Sequence, residues 1–158
     1  MKKLHVYSDE GKVDLSVIEK NEQLIGYRFF DSYKKLISSY DQFCSIENHF
    51  NFTNIYSKKD ERNISFLGHK NLTIRQIMEF QDYDIYGYKG IVTFGICANG
   101  DHICFDYCYD PKTSEPYVVL MYYDDYVTDK DDNPKKSINF VASSFEEFID
   151  MLYEYIDD

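Results

Sequence analysis

Within residues 97–110, CANGDHICFDYCYD, the chain carries three cysteines, one histidine and three aspartates. Two chemistries use such residues: thiolates and imidazole can hold zinc, and an imidazole beside a carboxylate can act as a general base. Asn99-Gly100 reads as the two-residue turn of a β-hairpin, because both residues tolerate the positive φ of a type I′ turn and the apolar, β-branched run GIVTFGIC precedes them. On that register Cys97 opposes His102 and Cys104 lies one diagonal step away, so the three could supply zinc ligands. Cys104 and Cys108, four residues apart on an extended strand, are roughly 13 Å from each other and cannot share a metal. His102 has no carboxylate to orient it, since Asp106 is equally distant and Asp101 points to the opposite face. The cysteines are expected to pack as small hydrophobes. Cys44 has His49 as a neighbour, which permits a nucleophile reading, but it also extends the apolar face of the helix before it and is expected in the core. No GxSxG, HExxH or P-loop pattern occurs, and glycines 87, 90, 95 and 100 do not form a phosphate cradle. Neither catalysis, metal nor cofactor is therefore expected.

The elements around this stretch follow from periodicity. HICFDYCYD alternates, putting Ile103, Phe105, Tyr107 and Tyr109 on one face and His102, Cys104, Asp106 and Cys108 on the other. A third strand is predicted at YVVLMYY after Pro116, followed by an acidic loop DDYVTDKDDNPKK and a strand SINFVA. The closing segment SSFEEFIDMLYEYI has a capping box in Ser143 and Glu146, and an apolar stripe in Phe145, Phe148, Ile149, Leu152 and Ile156 that must pack on the sheet. Upstream, LSVIEKNEQ (15–23) makes a short helix. In FFDSYKKLISSY the spacing of Tyr33, Leu36, Ile37 and Tyr40 predicts a second, with Asp31 or Ser32 as N-cap. NISFLG (63–68) is a plausible strand. Thr73 with Gln76 has capping-box spacing, and Leu72 with Ile77 has hydrophobic-staple spacing, which together predict a helix from about residue 74. His5, His49 and His69 fall in loops or termini. Helices first, consecutive antiparallel strands second and a final helix predict an α+β fold: a largely antiparallel sheet with N-terminal helices and a closing C-terminal helix packed on it.

A length of 158 residues and a mass of 18.8 kDa suit a single domain over residues 1–158, large enough to need no staples. The four cysteines have no CxxC spacing and are expected reduced. No apolar h-region follows the basic start and no run approaches the roughly 18 apolar residues of a membrane span, so a cytoplasmic location is expected. Charge is distributed unevenly: residues 1–80 carry 12 Lys+Arg against 11 Asp+Glu, and residues 81–158 carry 5 against 17. Eleven of the 16 tyrosines lie in the acidic half. Such a field repels nucleic-acid phosphates and anionic membranes and draws in a basic partner.

The order of these features resembles a known family. VIEKNEQLIGYRFFDSYKKLISSYDQF is similar to the opening of the SUKH superfamily, the Smi/Knr-like proteins, around Tyr33-Lys34. GIVTFGICANGDHICFDY resembles that family's strand, glycine turn and strand, with Gly100-Asp101 and Phe105-Asp106-Tyr107 at the matching places. PYVVLMYYDD and VASSFEEFIDML resemble its next strand and closing helix, carried by Ala142, Ser144, Phe145, Glu147 and Phe148. The chain departs from the pattern at Phe29-Phe30, where Leu-Pro is usual, and at Ala98-Asn99, which replaces a glycine-rich turn. The resemblance implies an α+β fold and, for bacterial members, an immunity protein that neutralises a cognate polymorphic or contact-delivered toxin, often a nuclease. Other members are regulatory interaction modules without a toxin partner, and a small hydrolase is the third reading. The charge pattern fits the first, since an inhibitor of a basic, phosphate-binding toxin should present carboxylates among rigid aromatics. The candidate partner-binding residues are Asp82, Asp84 and Tyr86 in DYDIYGY, with Tyr123, Asp124, Asp125, Tyr126, Asp129, Asp131 and Asp132 in the acidic loop. Strand alternation lets only one of Tyr122 and Tyr123 point outward.

Overall fold

The computed structural model describes residues 1–71 and 73–157. A short strand β1 (Val6–Ser8) leads to helix α1 (Leu15–Ile25), which is capped by the Asp14 side chain and ended by Gly26 at a φ of 89°. Helix α2 (Asp31–Ser39) buries Tyr33 and Ile37. Its N-cap is Phe30, an extended residue with no side-chain cap, rather than Asp31 or Ser32. Asp31 instead occupies the first helical turn, where its charge complements the helix dipole. Tyr40 ends α2 and is 37% exposed, so the inward stripe stops one turn earlier than its spacing implies.

Strands β2 (Cys44–Ser45), β3 (Glu47–Thr53), β4 (Lys59–Asn63) and β5 (Ser65–Phe66) follow. In β3 the alternation that buries Phe50 and Phe52 makes it half of a hairpin with β4. The run NISFLG contributes the last residue of β4 and the whole two-residue strand β5. Cys44 lies in β2 and donates to Ser65 Oγ at 3.5 Å, so it does not extend the α2 face.

The helix predicted from residue 74 does not form. Gln76 is extended and its side chain caps Met78 N at 2.7 Å, leaving a single 3-10 turn at Ile77–Phe80. Thr73 Oγ1 donates to Lys70 O at 2.8 Å instead of capping a helix, and Leu72 lies outside the described residues. The cause is a tertiary pairing: Gly68 N donates to Arg75 O and Ile77 N donates to Gly68 O, at 2.9 and 2.8 Å, so this backbone has partners before a helix could use it. One helical turn, α3 (Tyr83–Tyr86), comes next.

Strands β6 (Ile91–Ile96), β7 (His102–Asp106), β8 (Tyr117–Thr128) and β9 (Pro134–Ala142) complete an antiparallel sheet in the order β5-β6-β7-β8-β9. Helix α4 (Phe145–Met151) is capped by Ser144, one residue beyond the expected Ser143, and gives way to β10 (Tyr153–Glu154), which pairs with β3. Phe145, Phe148, Ile149 and Leu152 are all buried against the sheet, while Ile156 lies past the helix and is exposed. The alternation of β7 is as the sequence predicts as far as Tyr107, while Tyr109 lies beyond the strand and is 83% exposed. Ile103, Phe105 and Tyr107 enter the main core beneath α2 and α4, whereas Cys104 faces a second cluster with Ile91, Val119, Met121 and Tyr86. Stacked Phe94 and Phe105 rings, 4.0 Å apart, lie in the main core with Phe145 and Phe148 packed around Phe94.

Candidate functional site

The β6–β7 hairpin does not turn on Asn99-Gly100 alone. Ile96 pairs with His102, Cys97 N donates to Asp101 O at 2.8 Å and Gly100 N to Cys97 O at 3.0 Å. Only Gly100 takes a positive φ, 99°, so the connection is a turn followed by a left-handed glycine rather than a type I′ turn. This shift of register separates the proposed ligand trio. Cys97 belongs to the main core and Cys104 to the opposite face. His102 Nδ1 lies 3.2 Å from Thr93 Oγ1 and 3.3 Å from the Tyr86 hydroxyl, and burial, aided by Lys136, pulls its pKa down to about 4. Burial pushes the Cys104 thiol up to about 12 and raises Cys97 further, while Cys108, exposed rather than packed in the core, is raised to about 11 by partial desolvation and by Asp106. A nucleophilic cysteine needs the opposite shift. Among the described residues no three His, Cys, Asp or Glu side chains come together as a metal site.

Asp101 has a different role. It is buried, its Oδ2 accepts from Arg62 Nε and Asn99 Nδ2, both at 2.9 Å, and its Oδ1 accepts from Tyr123 N at 3.0 Å. It therefore ties β4, the hairpin tip and β8 together at the edge of the acidic segment.

Most of the expected acidic loop is strand. β8 runs through Asp124, Asp125 and Tyr126 to Thr128, and the loop proper is Asp129–Asn133. Pairing with β9 jumps from Met121↔Ile138 to Tyr126↔Lys136, so residues 122–125 bulge opposite Ser137. Such a bulge re-aims side chains. Tyr122 turns inward, packing on the core and donating to Asn139 Oδ1 at 3.2 Å, while Tyr123 turns outward and is 52% exposed. Asp124 is exposed. Asp125 accepts from the hydroxyls of Ser137 and Tyr56, which together hold its carboxyl below the usual range. Tyr126 is half exposed. Asp129 accepts from Asn133 N at 2.9 Å and Asp131 N at 2.8 Å, contacts that lower its pKa and shape the turn, while Asp131 and Asp132 project into solvent.

The other predicted segment divides. Asp82 caps α3 by accepting from Ile85 N at 3.2 Å, and both Asp82 and Asp84 are exposed. Tyr86 is buried: its hydroxyl donates to Phe80 O and its ring packs in the second core cluster, so it cannot be a surface contact. Alternation of polar and aromatic residues in DYDIYGY disguises a one-turn helix that turns this tyrosine inward. Gly87 ends that turn at a φ of 84°, so close to Lys135 that a Cβ would meet its Cγ at 2.7 Å. Lys135 Nζ lies 4.9 Å from the Tyr88 ring and Lys136 Nζ 5.8 Å from the Tyr86 ring. Among the described residues these lysines make no ion pair with an aspartate, although the Lys135 charge helps lower the Asp129 pKa.

Among the described residues the ion pairs are His5–Glu47, Lys34–Glu22 and Arg62 with Asp60 and Asp101. None involves Asp82, Asp84, Asp124, Asp125, Asp129, Asp131 or Asp132. Tyr56, in the β3–β4 turn, is the surface residue that sequence reasoning missed. The signal was present in Asn54, whose Oδ1 accepts from Tyr56 N and Lys58 N at 2.9 and 3.1 Å, the pattern of an Asx turn.

Two N-terminal helices packed with a five-stranded antiparallel sheet and closed by a C-terminal helix make this an α+β domain with an acidic edge. Over residues 12–151 the sequence matches the SMI1 / KNR4 family (SUKH-1), and the chain belongs to that family. No curated protein matches the sequence. The family is associated with immunity proteins. No helix among the described residues is long and apolar enough to cross a membrane.

Proposed function

We propose that this protein is an immunity protein that binds and neutralises a cognate polymorphic or contact-delivered toxin, a nuclease being the best fit, through the surface bearing Tyr123, Asp124, Asp125, Tyr126, Asp129, Asp131 and Asp132, with Asp82 and Asp84 at its border. The observation that carries this reading is that among the described residues none of those carboxylates forms an ion pair, although Lys135 and Lys136 are close by. An uncompensated acidic edge raises the chain's self-repulsion, and a basic partner would relieve it. Nuclease sites are basic because they bind phosphates, so the charge complement is of the right sign. Exposed tyrosines among the carboxylates add rigid contact area. The reading also places the protein in the cytoplasm and makes it a binder without catalytic activity. The test is to sequence the region around its gene and co-express the protein with any toxin domain encoded there. Growth of the doubly expressing cells and co-purification of a complex are expected; toxicity that persists at a molar excess of the protein overturns the assignment.

A further inference from the structure

We infer that the contact centre of this surface is built from three chain tips, the β3–β4 turn, the β6–β7 turn and the β8 bulge, and that Tyr56, Tyr123 and Asp124 there receive an arginine side chain of a cationic protein. The inference rests on the binding reading above and deepens it. The tips are joined by specific bonds. The Tyr56 hydroxyl donates to Asp125, Asn139 Nδ2 donates to Thr53 O at 3.1 Å, and Tyr122 donates to the same Asn139. On the other side, Tyr123 N is held by Asp101 at 3.0 Å, and the Tyr123 ring lies over Gly100, whose Cβ, if present, would touch it at 3.5 Å. Tyr56 is nevertheless 62% exposed and Tyr123 52% exposed, so Tyr56, held at its hydroxyl, and Tyr123, held through its backbone and against Gly100, both keep ring surface open to solvent. Positions set in advance lose little entropy on binding.

The other acidic stretches lack this combination. Asp129 directs its carboxylate to the N–H groups of its own turn, and Asp131 and Asp132 have no exposed ring within their turn. Near Asp82 and Asp84, Tyr86 is buried and Tyr88 is covered by Lys135. At the three tips, the exposed ring surface of Tyr123 is next in the chain to the exposed carboxylate of Asp124, and Tyr56 is tied to the following residue, Asp125. A planar guanidinium can stack on such a face while donating to a carboxylate, whereas an ammonium acts only as a point charge. The expected occupant is therefore arginine rather than lysine.

The experiment titrates the isotope-labelled protein with hexa-arginine and, separately, hexa-lysine, following backbone amide shifts. Hexa-arginine should shift Tyr56, Ala98 to Gly100, Tyr123 and Asp124, and should bind about two- to fivefold more tightly than hexa-lysine. Tyr56→Ala and Asp124→Asn should each weaken hexa-arginine several-fold, while Glu19→Gln, a charge removal on exposed α1, should not. Equal affinity for the two peptides, or shifts confined to residues 82–84 and 129–132, would overturn the inference. The toxin experiment separates the two claims. A toxin complex indifferent to Tyr56→Ala sinks this contact centre and leaves the immunity reading standing; arginine binding at the three tips with no toxin complex does the reverse.

Discussion

His69 is fully buried, with Nδ1 accepting from Asn21 Nδ2 at 3.0 Å and Nε2 2.9 Å from the Tyr33 hydroxyl. Asp41, also buried, accepts from the His69 backbone N–H at 2.6 Å. These contacts suit a neutral ring carrying its proton on Nε2, and burial pulls the His69 pKa from 6.5 down to about 4. His102 is lowered to about 4 as well. A histidine with a depressed folded pKa takes up a proton more readily once unfolded, so its contribution to stability is complete above about pH 6.5 and is lost as pH falls toward 4. Carboxylates with lowered values, such as Asp60, act in the same direction only below about pH 4, while Asp41, raised by burial, acts in the opposite direction as it protonates. The urea midpoint should therefore fall between pH 7 and pH 5, with His69 alone contributing up to about 3 kcal/mol over the full window. His69→Gln should flatten this dependence; a midpoint that holds or rises at pH 5 contradicts the neutral buried ring. Nothing around LGHKN identifies His69 as core, because its partners Asn21 and Tyr33 come from two helices remote in sequence.

Helix α4 is the element whose role follows most directly from its own residues. Phe148 is fully buried, edge-on to Phe50 of β3 at 5.2 Å and to Phe94 of β6 at 6.1 Å, so it joins both larger sheets to the helix. Phe148→Ala should destabilise by about 3–5 kcal/mol through the cavity it leaves, read as a lowered midpoint with unchanged slope in urea. A variant with a wild-type midpoint would show that the sheets meet without this ring. The α4 stripe from Phe145 to Leu152 was legible because its spacing and its burial agree, although the cap falls one residue later and Ile156 lies beyond the helix. The β7 alternation was legible for the same reason. The elements that sequence misplaced are those decided by distant backbone. Residues 73–80 carry good helix-start signals, but Gly68 takes the hydrogen bonds. Asp124 to Thr128 have loop composition, yet β9 returns alongside them and makes them strand. Tyr86 looked like part of an exposed acidic motif until one turn of helix rotated it inward.

At the scale of the whole molecule, charge is the property that sequence conveys best and folding changes least. The net charge of −11 arises in the second half of the chain, where 17 acidic residues face 5 basic ones. Folding pairs none of the β8–β9 aspartates with a cation among the described residues, because Lys135 and Lys136 lie against tyrosine rings. What the sequence could not convey is which tyrosines share that end. The bulge chooses Tyr123 over Tyr122, and the β3–β4 turn brings in Tyr56 from 69 residues away. A partner approaching this end should feel its field before it feels its shape. Exposed charges are screened beyond about 8–10 Å at physiological ionic strength, so the association rate with the toxin domain should fall steeply as salt rises from low to physiological values. Dissociation depends on short-range packing and should change little. Asp131→Asn, in the exposed turn, should mainly slow association. Tyr123→Ala should mainly speed dissociation and cost about 2 kcal/mol, as loss of a central aromatic anchor does. Surface-binding kinetics at several salt concentrations would separate these effects. Salt-independent association, together with full protection of toxin-expressing cells by a variant neutralised at both acidic segments, would remove electrostatic steering and leave recognition to the tyrosines and the shape of the three tips.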